Sequence, residues 1–243
     1  MIDPCDVVRA AASNNAALCD AVCRAHGITG RLDDDAWTSS ERTPPLYPDA
    51  VTLAPAVDAD SLLARVDATA GCSIKDSFSM LPLDAHGFGI LFEADWIVLP
   101  PDRVPPARST GRDLAWRAVS DAAELGAWED GWRGDGPVGT FPATVLDGDL
   151  EFLAGYDGDA ITAGVIANQT DGVVGVSNIF TKSGSIPEIW PGCLHAIARR
   201  FPNLPIVGYE SGASLRAALR HGFAPVGRLR VWVLEAATAD KAP

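Results

Sequence analysis

The stretch SLRAALRHGFAPVGRLRVWV, from Ser214 to Val233, constrains the fold more than any other part of the chain. Its first half predicts a short helix, because Gly222 supplies the kind of stop on which helices commonly end. Its second half, from Ala224, predicts a closing strand. The segment LPIVGYE just before it predicts a buried strand, so the chain closes with a strand, a helix and a strand.

A regular succession of elements precedes this closing unit. LAWRAVSD predicts a strand, AAELGAWEDGWRGD a helix, and LEFLAGYDGDAITAGVIANQTDGVVGVSNIF three strands joined by turns that contain Asp-Gly pairs. IWPGCLHAIARRF predicts a helix that tolerates Pro191 in its first turn. The order from Leu114 to Leu234 is therefore β-α-β-β-β-α-β-α-β, an α+β arrangement in which helices flank a mixed sheet.

The N-terminal part of the chain predicts a second, less regular α+β region. One helix is expected at Cys5–His26 and another within Asp58–Gly71. Between them, the polar and proline-containing residues 30–53 predict an irregular connector. The segments CSIKDSFSML and GFGILFEADWIVL, separated by a turn at Asp84–Gly87, predict an antiparallel hairpin.

A proline-rich segment, PPDRVPPARSTGRD, divides the chain. Its four prolines sustain neither a helix nor a central strand. We therefore expect a boundary near Ala107, with an N-terminal α+β region at residues 1–107 and a second domain at residues 108–236. Residues 237–243 predict a flexible tail.

The distribution of charge narrows the classes of function. The net charge is −13, which argues against a general nucleic-acid-binding surface. The segment from Arg199 to Leu234 nevertheless holds six arginines and a single acid, Glu210. The acidic chain thus ends in a basic third, which suits an anionic cofactor or substrate.

Several signals are absent from the sequence. The five cysteines are scattered, and the N-terminal residues lack the cationic start and apolar block of a secretory signal. No apolar run approaches the length of a membrane-spanning helix. These features predict a cytoplasmic protein with reduced thiols and no membrane contact. No metal is expected, because no second cluster joins Cys19, Cys23 and His26 to complete a zinc site.

Two segments resemble the GCN5-related N-acetyltransferase (GNAT) family. DGVVGVSNIF is similar to the central strand of the family, and LPIVGYESGASLRAALRHGFAPVGRLRVWV to its last strand-helix-strand unit, in which the helix ends at Gly222–Phe223 and PVG follows. The resemblance covers about half the chain and implies a GNAT-like mixed sheet flanked by helices. The N-terminal region is then either an extension or a degenerate second half of the same fold.

The resemblance also implies an acyl-coenzyme A site after the central strand. The family holds the pyrophosphate on a loop of the R/Q-x-x-G-x-G/A type that opens a helix, where backbone N–H groups and the helix dipole attract phosphate. The matching segment here is TKSGSIPEIWPGCLHAI, in which Lys182, Ser183 and Gly184 are the phosphate candidates. Its spacing departs from the motif, and Glu188 would repel a phosphate. The donor is therefore either acetyl-coenzyme A or another acyl donor.

Further contacts with the donor follow from the same resemblance. The acyl group is expected to lie along consecutive residues of the central strand, namely Ser177, Asn178, Ile179 and Phe180. Arg216 and Arg220 are four residues apart and share one face of the last helix. These two arginines either reach phosphate groups or are solvated.

Glu210 and Tyr209 are the catalytic candidates. Many members of the family carry a tyrosine on the last helix that protonates the leaving thiolate, but this position is Ala218 here, and Tyr209 is the nearest substitute in the sequence. Glu210 ends a buried strand, where a carboxylate serves as general base or binds the amine of a substrate. The competing interpretation pairs Glu210 with an arginine such as Arg216 or Arg220.

The charged residues of the N-terminal strands leave two interpretations open. Lys75, Asp76, Glu93 and Asp95 stand among strong strand formers. They either line a binding cleft or belong to a solvated outer face of the sheet. We favour the solvated face.

Three functions are compatible with these residues. The first, which we favour, is N-acyl transfer from a thioester, carried by coenzyme A or a carrier protein, to the amine of a small molecule. The second keeps this fold and chemistry but takes an aminoacyl group from a charged tRNA, which needs no pyrophosphate cradle. The third is a catalytically inactive GNAT-like module that binds a ligand or a partner protein.

Overall fold

The computed structural model describes residues 4–105 and 113–235 and places eleven strands in one mixed sheet. The expected α+β class is confirmed, because helices pack on both faces of this sheet. The boundary expected near Ala107 and the tail expected at residues 237–243 lie outside the described residues. The division into two domains stays a prediction.

The elements expected after Leu114 are all present in the expected order. The α-helices of the described chain are α1 (Pro4–Ala25), α2 (Ala59–Leu63), α3 (Ala122–Arg133), α4 (Ile186–Arg200) and α5 (Gly212–Arg220). The strands are β1 (Arg31–Leu32), β2 (Ala36–Thr38), β3 (Ala50–Thr52), β4 (Ser73–Asp76), β5 (Gly89–Leu99), β6 (Ala115–Ala118), β7 (Leu150–Asp157), β8 (Ala160–Thr170), β9 (Val173–Thr181), β10 (Ile206–Glu210) and β11 (Ala224–Val233).

The order of the strands mixes the two parts of the chain. Across the sheet it is β1-β2-β3-β4-β11-β5-β10-β9-β8-β7-β6. Neighbouring strands run antiparallel except for two parallel pairs, β3 with β4 and β9 with β10. Strand β5 from the N-terminal part lies between β10 and β11 from the C-terminal part. Strands from before and after the proline-rich segment therefore share one hydrogen-bonded sheet.

The expected hairpin of β4 and β5 is wrong. Strand β11 lies between the two and pairs antiparallel with each of them. The pairing of β11 with β5 extends over Ala224–Val233, whereas β4 offers only Ser73–Asp76. The long strand β5 thus forms more interstrand hydrogen bonds with a partner that is distant in sequence than a hairpin could supply.

The connector expected at residues 30–53 contains three short strands, β1 to β3. One buried carboxylate organises the loop between β2 and β3, because Asp49 is only 1% exposed. It accepts hydrogen bonds from Nη1 of Arg42 (2.6 Å) and from the backbone N–H groups of Thr43 (3.0 Å) and Ser73 (2.9 Å). The loop between β2 and β3 is therefore irregular, but its buried Asp49 carboxylate is fully hydrogen-bonded.

The helices form two layers. Helices α1 and α3 pack on one face of the sheet, and α4 and α5 pack on the other. Trp128 of α3 is fully buried against Phe152 and Phe180, with ring centroids 5.0 Å away in each case. On the opposite face, Trp190 of α4 packs against Phe223 with centroids 5.3 Å apart. None of the helices in the described ranges is long and apolar enough to cross a membrane.

Helix α1 crosses strands from both parts of the chain and lies very close to them. A Cβ atom on Gly175 would collide with the side chain of Asn14, and one on Gly227 would lie 2.6 Å from Cγ2 of Val8. Asn14 and Asn168 each donate a side-chain hydrogen bond to the other's backbone carbonyl, at 2.8 and 3.0 Å. The helix is thereby fixed over the centre of the sheet.

The parallel strands β9 and β10 separate along their length. They pair only at Val174–Ile206 and Gly175–Val207. Beyond this point, β9 stays paired with β8 as far as Thr181, and β10 stays paired with β5 as far as Glu210. Each strand keeps its outer partner, so a gap opens between them.

Candidate functional site

A cavity of about 310 Å³ lies in the gap between β9 and β10. Helix α1 and residues 46–48 line it on one face of the sheet, and α4 and the first residues of α5 line it on the other. The cavity therefore passes through the sheet between the separating strands. Trp190 forms part of the wall, but its packing against Phe223 leaves the cavity open.

Glu210 supplies a carboxylate to this cavity from the end of β10. Its neighbour Tyr209 points towards α1, so alternation along the strand directs Glu210 to the face of α4 and α5. Burial raises the pKa of Glu210 to about 7. The competing pairing with an arginine is not present, because no ion pair within the described ranges involves Glu210, Arg216 or Arg220.

Lys75 of β4 supplies an ammonium group to the same cavity. Its side chain is 4% exposed, and its Nζ donates to Oδ1 of Asn15 at 2.6 Å and to Oη of Tyr209 at 3.2 Å. The Nζ atom also lies 4.4 Å from the centroid of the Tyr209 ring. The favoured solvated face is therefore wrong for Lys75, because α1 covers this part of the sheet.

The other charged residues of the N-terminal strands lie outside the cavity. Asp76 is buried, so the solvated face is wrong for it too. It accepts a hydrogen bond from the backbone N–H of Leu81 at 2.9 Å, which stabilises the turn after β4. Glu93 is exposed and pairs with Arg230 at 2.8 Å. Only Lys75 of this group contributes to the site.

Two hydroxyl groups in the cavity wall are buried and have no hydrogen-bond partner within the described residues. They belong to Ser177 of β9 and to Tyr47, which precedes β3. The Asn178 side chain lies beside the phenol of Tyr47 but outside hydrogen-bonding geometry. Burial raises the pKa of Tyr47 well above its ordinary value, so the phenol keeps its proton. A ligand that bonds to these hydroxyls would remove the cost of burying them unpaired.

Strand β9 is irregular where it lines the cavity. Two of its residues, Asn178 and Ile179, stand opposite one residue of β8, which is a β-bulge. Asn178 has a φ of +53°, in the left-handed region that asparagine tolerates better than most residues. Both residues line the cavity together with Ser177. Phe180, expected beside the acyl group, instead packs against Trp128 and does not line the cavity.

The N-terminus of α4 is closed by its own residues. Ser185 is the N-cap residue, and the Glu188 carboxylate reaches back to the backbone N–H of Ser185 at 3.4 Å in a capping box. The same carboxylate occupies the space that a Cβ atom on Gly184 would need. A carboxylate at this position takes the place of an anion and repels a second one. The pyrophosphate of coenzyme A therefore does not fit this helix start.

The residues expected to contact phosphate lie on exposed surface away from the cavity; they are Lys182, Ser183, Gly184, Arg216 and Arg220. The Lys182 side chain extends over Gly131 of α3. The backbone carbonyl of Ser183 accepts a hydrogen bond from the Thr181 hydroxyl at 2.6 Å. A role of these residues in binding the donor stays a prediction.

Four polar residues of the cavity were missed as site residues by the sequence analysis: Asn15, Tyr47, Lys75 and Ser214. Lys75 carried a signal, because it is the only base in a run of strand formers. Asn15 and Tyr47 carried none, because the docking of α1 and an irregular loop place them. Cys19 also lines the cavity, and burial raises the pKa of its thiol to about 11. The described residues include no group of His, Cys, Asp and Glu that could hold a metal ion.

Solved structures with the same fold include acetyltransferases. A GCN5-related N-acetyltransferase from Kribbella flavida is 15% identical, with a TM-score of 0.63 over 92% of this chain and 95% of that one. A GNAT-family protein from Novosphingobium aromaticivorans is 14% identical, with a TM-score of 0.53 over 91% and 99%. A GCN5-related N-acetyltransferase from Sphaerobacter thermophilus is 10% identical, with a TM-score of 0.52 over 74% and 65%.

These similarities concern the fold. No protein-family model matches the sequence, and no curated protein matches it either. At 10–15% identity the likeness shows that the chain has the GNAT fold. The similarity to the Kribbella flavida structure extends over 92% of this chain, so it includes the N-terminal region as well as the half that carries the sequence resemblance.

Proposed function

We propose that this protein is an N-acyltransferase that moves an acyl group from a thioester to the amine of a small molecule bound in the cavity. The observation that carries this proposal is Glu210, an unpaired carboxylate whose pKa is raised to about 7, beside the gap between the separating strands of a GNAT fold. A base with this pKa takes a proton from an ammonium group near neutral pH. The cavity volume of about 310 Å³ limits the acceptor to a small molecule.

The residues around the gap support each bond change. Glu210 takes one proton from the acceptor's ammonium group, and the nitrogen then forms a bond to the thioester carbonyl carbon. The Ser177 hydroxyl, which has no other partner, donates to the carbonyl oxygen as negative charge develops there. The C–S bond then breaks, and the thiolate takes the phenol proton of Tyr209. Tyr209 regains a proton from the nitrogen, which leaves an amide, a thiol and protonated Glu210.

Tyr209 suits the role of acid because of its contact with Lys75. The ammonium group donates to Oη of Tyr209 at 3.2 Å, so this oxygen is an acceptor in the pair. The phenol proton is therefore available to a group in the cavity. Tyr209 thus stands in for the tyrosine that the family's last helix commonly carries, where this chain has the buried Ala218.

The donor that we propose is a thioester whose phosphate groups, if any, bind away from α4. Glu188 closes the helix start that would otherwise receive a pyrophosphate. A thioester on the pantetheine arm of a carrier protein meets this condition, so we favour it over acetyl-coenzyme A. The net charge of −13 opposes a tRNA donor.

The test compares two donors that carry the same thioester. S-acetyl-pantetheine lacks the pyrophosphate of acetyl-coenzyme A. Each donor is incubated with the protein and a panel of primary amines and amino acids. Mass spectrometry measures the amide products. We expect enzyme-dependent amide formation, with kcat/KM for S-acetyl-pantetheine at least equal to that for acetyl-coenzyme A. A much higher kcat/KM for acetyl-coenzyme A would overturn the donor assignment. The donors tested next are a carrier-bound acyl group and aminoacyl-tRNA. If none of the four donors yields an amide, acyl transfer is overturned and the inactive module is favoured.

A further inference from the structure

Lys75 places a positive charge inside the cavity without a counter-ion among the described residues. Its side chain is 4% exposed, and its two hydrogen-bond acceptors, Oδ1 of Asn15 and Oη of Tyr209, are neutral. No carboxylate in the part of the chain that the structure describes forms an ion pair with it. A buried ammonium group without a counter-ion is unfavourable, so this arrangement is stabilised by binding an anion.

The hydrogen-bonding capacity of the cavity agrees with this inference. An ammonium group has three N–H donors, and Lys75 uses two of them on Asn15 and Tyr209. The hydroxyl of Tyr47 lines the same cavity and also has no partner within the described ranges. A carboxylate accepts hydrogen bonds and donates none, so it satisfies both groups at once.

The cavity also presents a group of the opposite sign. Glu210 lies on the face of α4 and α5, whereas Lys75 lies on the face of α1, and the two form no ion pair with each other. One unpaired base and one unpaired cation at opposite faces of a single cavity match a molecule that carries an ammonium group and a carboxylate. No arginine of the described ranges lines the cavity, so its charge fits a carboxylate better than a phosphate.

We propose that the acceptor is a small amino acid whose amine meets Glu210 and whose carboxylate binds Lys75. The part of this proposal that concerns the amine rests on the proposed acyl transfer. The part that concerns the carboxylate is a statement about binding alone. Lys75 is then a specificity-determining residue.

Calorimetric titration without any thioester tests the binding part. The probes are glycine, β-alanine, 4-aminobutyrate, 5-aminopentanoate and L-leucine. Each is compared with its matched amine, which has hydrogen in place of the carboxyl group. We expect at least one amino acid to bind about 10- to 100-fold more tightly than its matched amine, as charge-assisted hydrogen bonds allow. The chain length that binds best measures the separation of Glu210 and Lys75. If no amino acid binds more tightly than its matched amine, the proposal is overturned.

Substitution of Lys75 identifies the group responsible. Lys75→Met keeps the length of the side chain and removes its charge, so the advantage of the amino acid should disappear while the amine binds as before. Arg9→Met is the matched control, because Arg9 is an exposed cation of α1 outside the cavity. Thermal unfolding checks that each variant folds, and Lys75→Gln replaces Lys75→Met if that variant does not. Wild-type affinity for the amino acid in a folded Lys75 variant would contradict the proposal.

The two proposals fail separately. If amino acids bind through Lys75 but no donor yields an amide, the acyl-transfer proposal is wrong and the carboxylate site remains. If simple amines are acylated as fast as amino acids, and Lys75→Met leaves both rates unchanged, acyl transfer remains and the amino-acid acceptor is wrong.

Discussion

The start of α4 and the cavity between β9 and β10 differ in whether their charged side chains have partners within the chain. At the start of α4, the Glu188 carboxylate reaches back to the backbone N–H of Ser185 and completes the helix terminus. In the cavity, Glu210 and Lys75 have no counter-ion among the described residues. The start of α4 is complete within the chain, whereas in our proposal a ligand completes the cavity. This difference separates polar residues that maintain the fold from those that bind.

Two buried charges close to the cavity show the same difference. Asp49 is 1% exposed and accepts hydrogen bonds from Arg42 and from two backbone N–H groups. Lys75 is 4% exposed and donates its hydrogen bonds to neutral oxygens. Removal of Asp49 should therefore affect stability, and removal of Lys75 should affect binding.

The largest effect is expected on catalysis, at Glu210. Glu210→Gln keeps the shape of the side chain and removes the base, so kcat/KM for amide formation should fall about 10²- to 10⁴-fold, the usual contribution of a general base. In the wild type, kcat/KM should rise with pH until about pH 7 and then level off, because the deprotonated carboxylate is the active form.

Steady-state kinetics across this pH range checks both statements. Glu41→Gln, at an exposed position outside the cavity, is the matched control and should behave as the wild type. A Glu210→Gln variant with kcat/KM close to that of the wild type would show that another group takes the proton.

The largest effect on stability is expected at Asp49. Asp49→Ala leaves Nη1 of Arg42 and the backbone N–H groups of Thr43 and Ser73 without their acceptor, whereas Nη2 of Arg42 keeps its hydrogen bonds. Leaving these donors unsatisfied should lower the free energy of unfolding by about 3 kcal/mol. Urea denaturation measures this change beside Lys75→Met, which should be as stable as the wild type or more so. An equal loss of unfolding free energy in the two variants would show that Asp49 and Lys75 do not differ in their contribution to stability.

A smaller effect is expected on the pH dependence of stability. Burial raises the pKa of Glu210 from 4.5 to about 7, so the folded protein binds more protons than the unfolded chain between these values. This contribution to stability is fully present below pH 4.5 and is lost as the pH rises through 7. Thermal unfolding should show that Glu210→Gln gains Tm relative to the wild type as the pH rises from 5 to 8. A constant difference in Tm across that range would contradict this assignment.

The smallest effect is expected at Glu188. Glu188→Gln weakens the favourable interaction of the side chain with the start of α4, which is worth about 0.3–1 kcal/mol. Removing the negative charge should also tighten the binding of acetyl-coenzyme A, because the helix start can then attract a phosphate. Calorimetric titration with acetyl-coenzyme A measures this change. Tighter binding to the wild type than to the variant would show that Glu188 does not exclude the pyrophosphate.

Much of the fold after Leu114 could be predicted from the sequence. The glycine stop at Gly222, the Asp-Gly turns and the apolar segments are local signals, and each acts on residues close to it in the chain. Ser177 was predicted as a site residue from the resemblance to the GNAT family, and Tyr209 as the nearest substitute for that family's tyrosine. Glu210 was predicted because it ends a buried strand. All three line the cavity. Glu188 was recognised as an obstacle to phosphate from its charge alone.

Only the tertiary structure decided which side chains of the N-terminal part belong to the site. Alternation along β4 divides its residues between two faces, but it does not tell which face another element covers. The covering helix contributes Asn15, which is 60 residues from Lys75 in the chain. Likewise, β5 pairs with β11 because two long strands form more hydrogen bonds than a local hairpin could. Such long-range partners are fixed by the packing of the whole sheet, and no short segment contains the information that selects them.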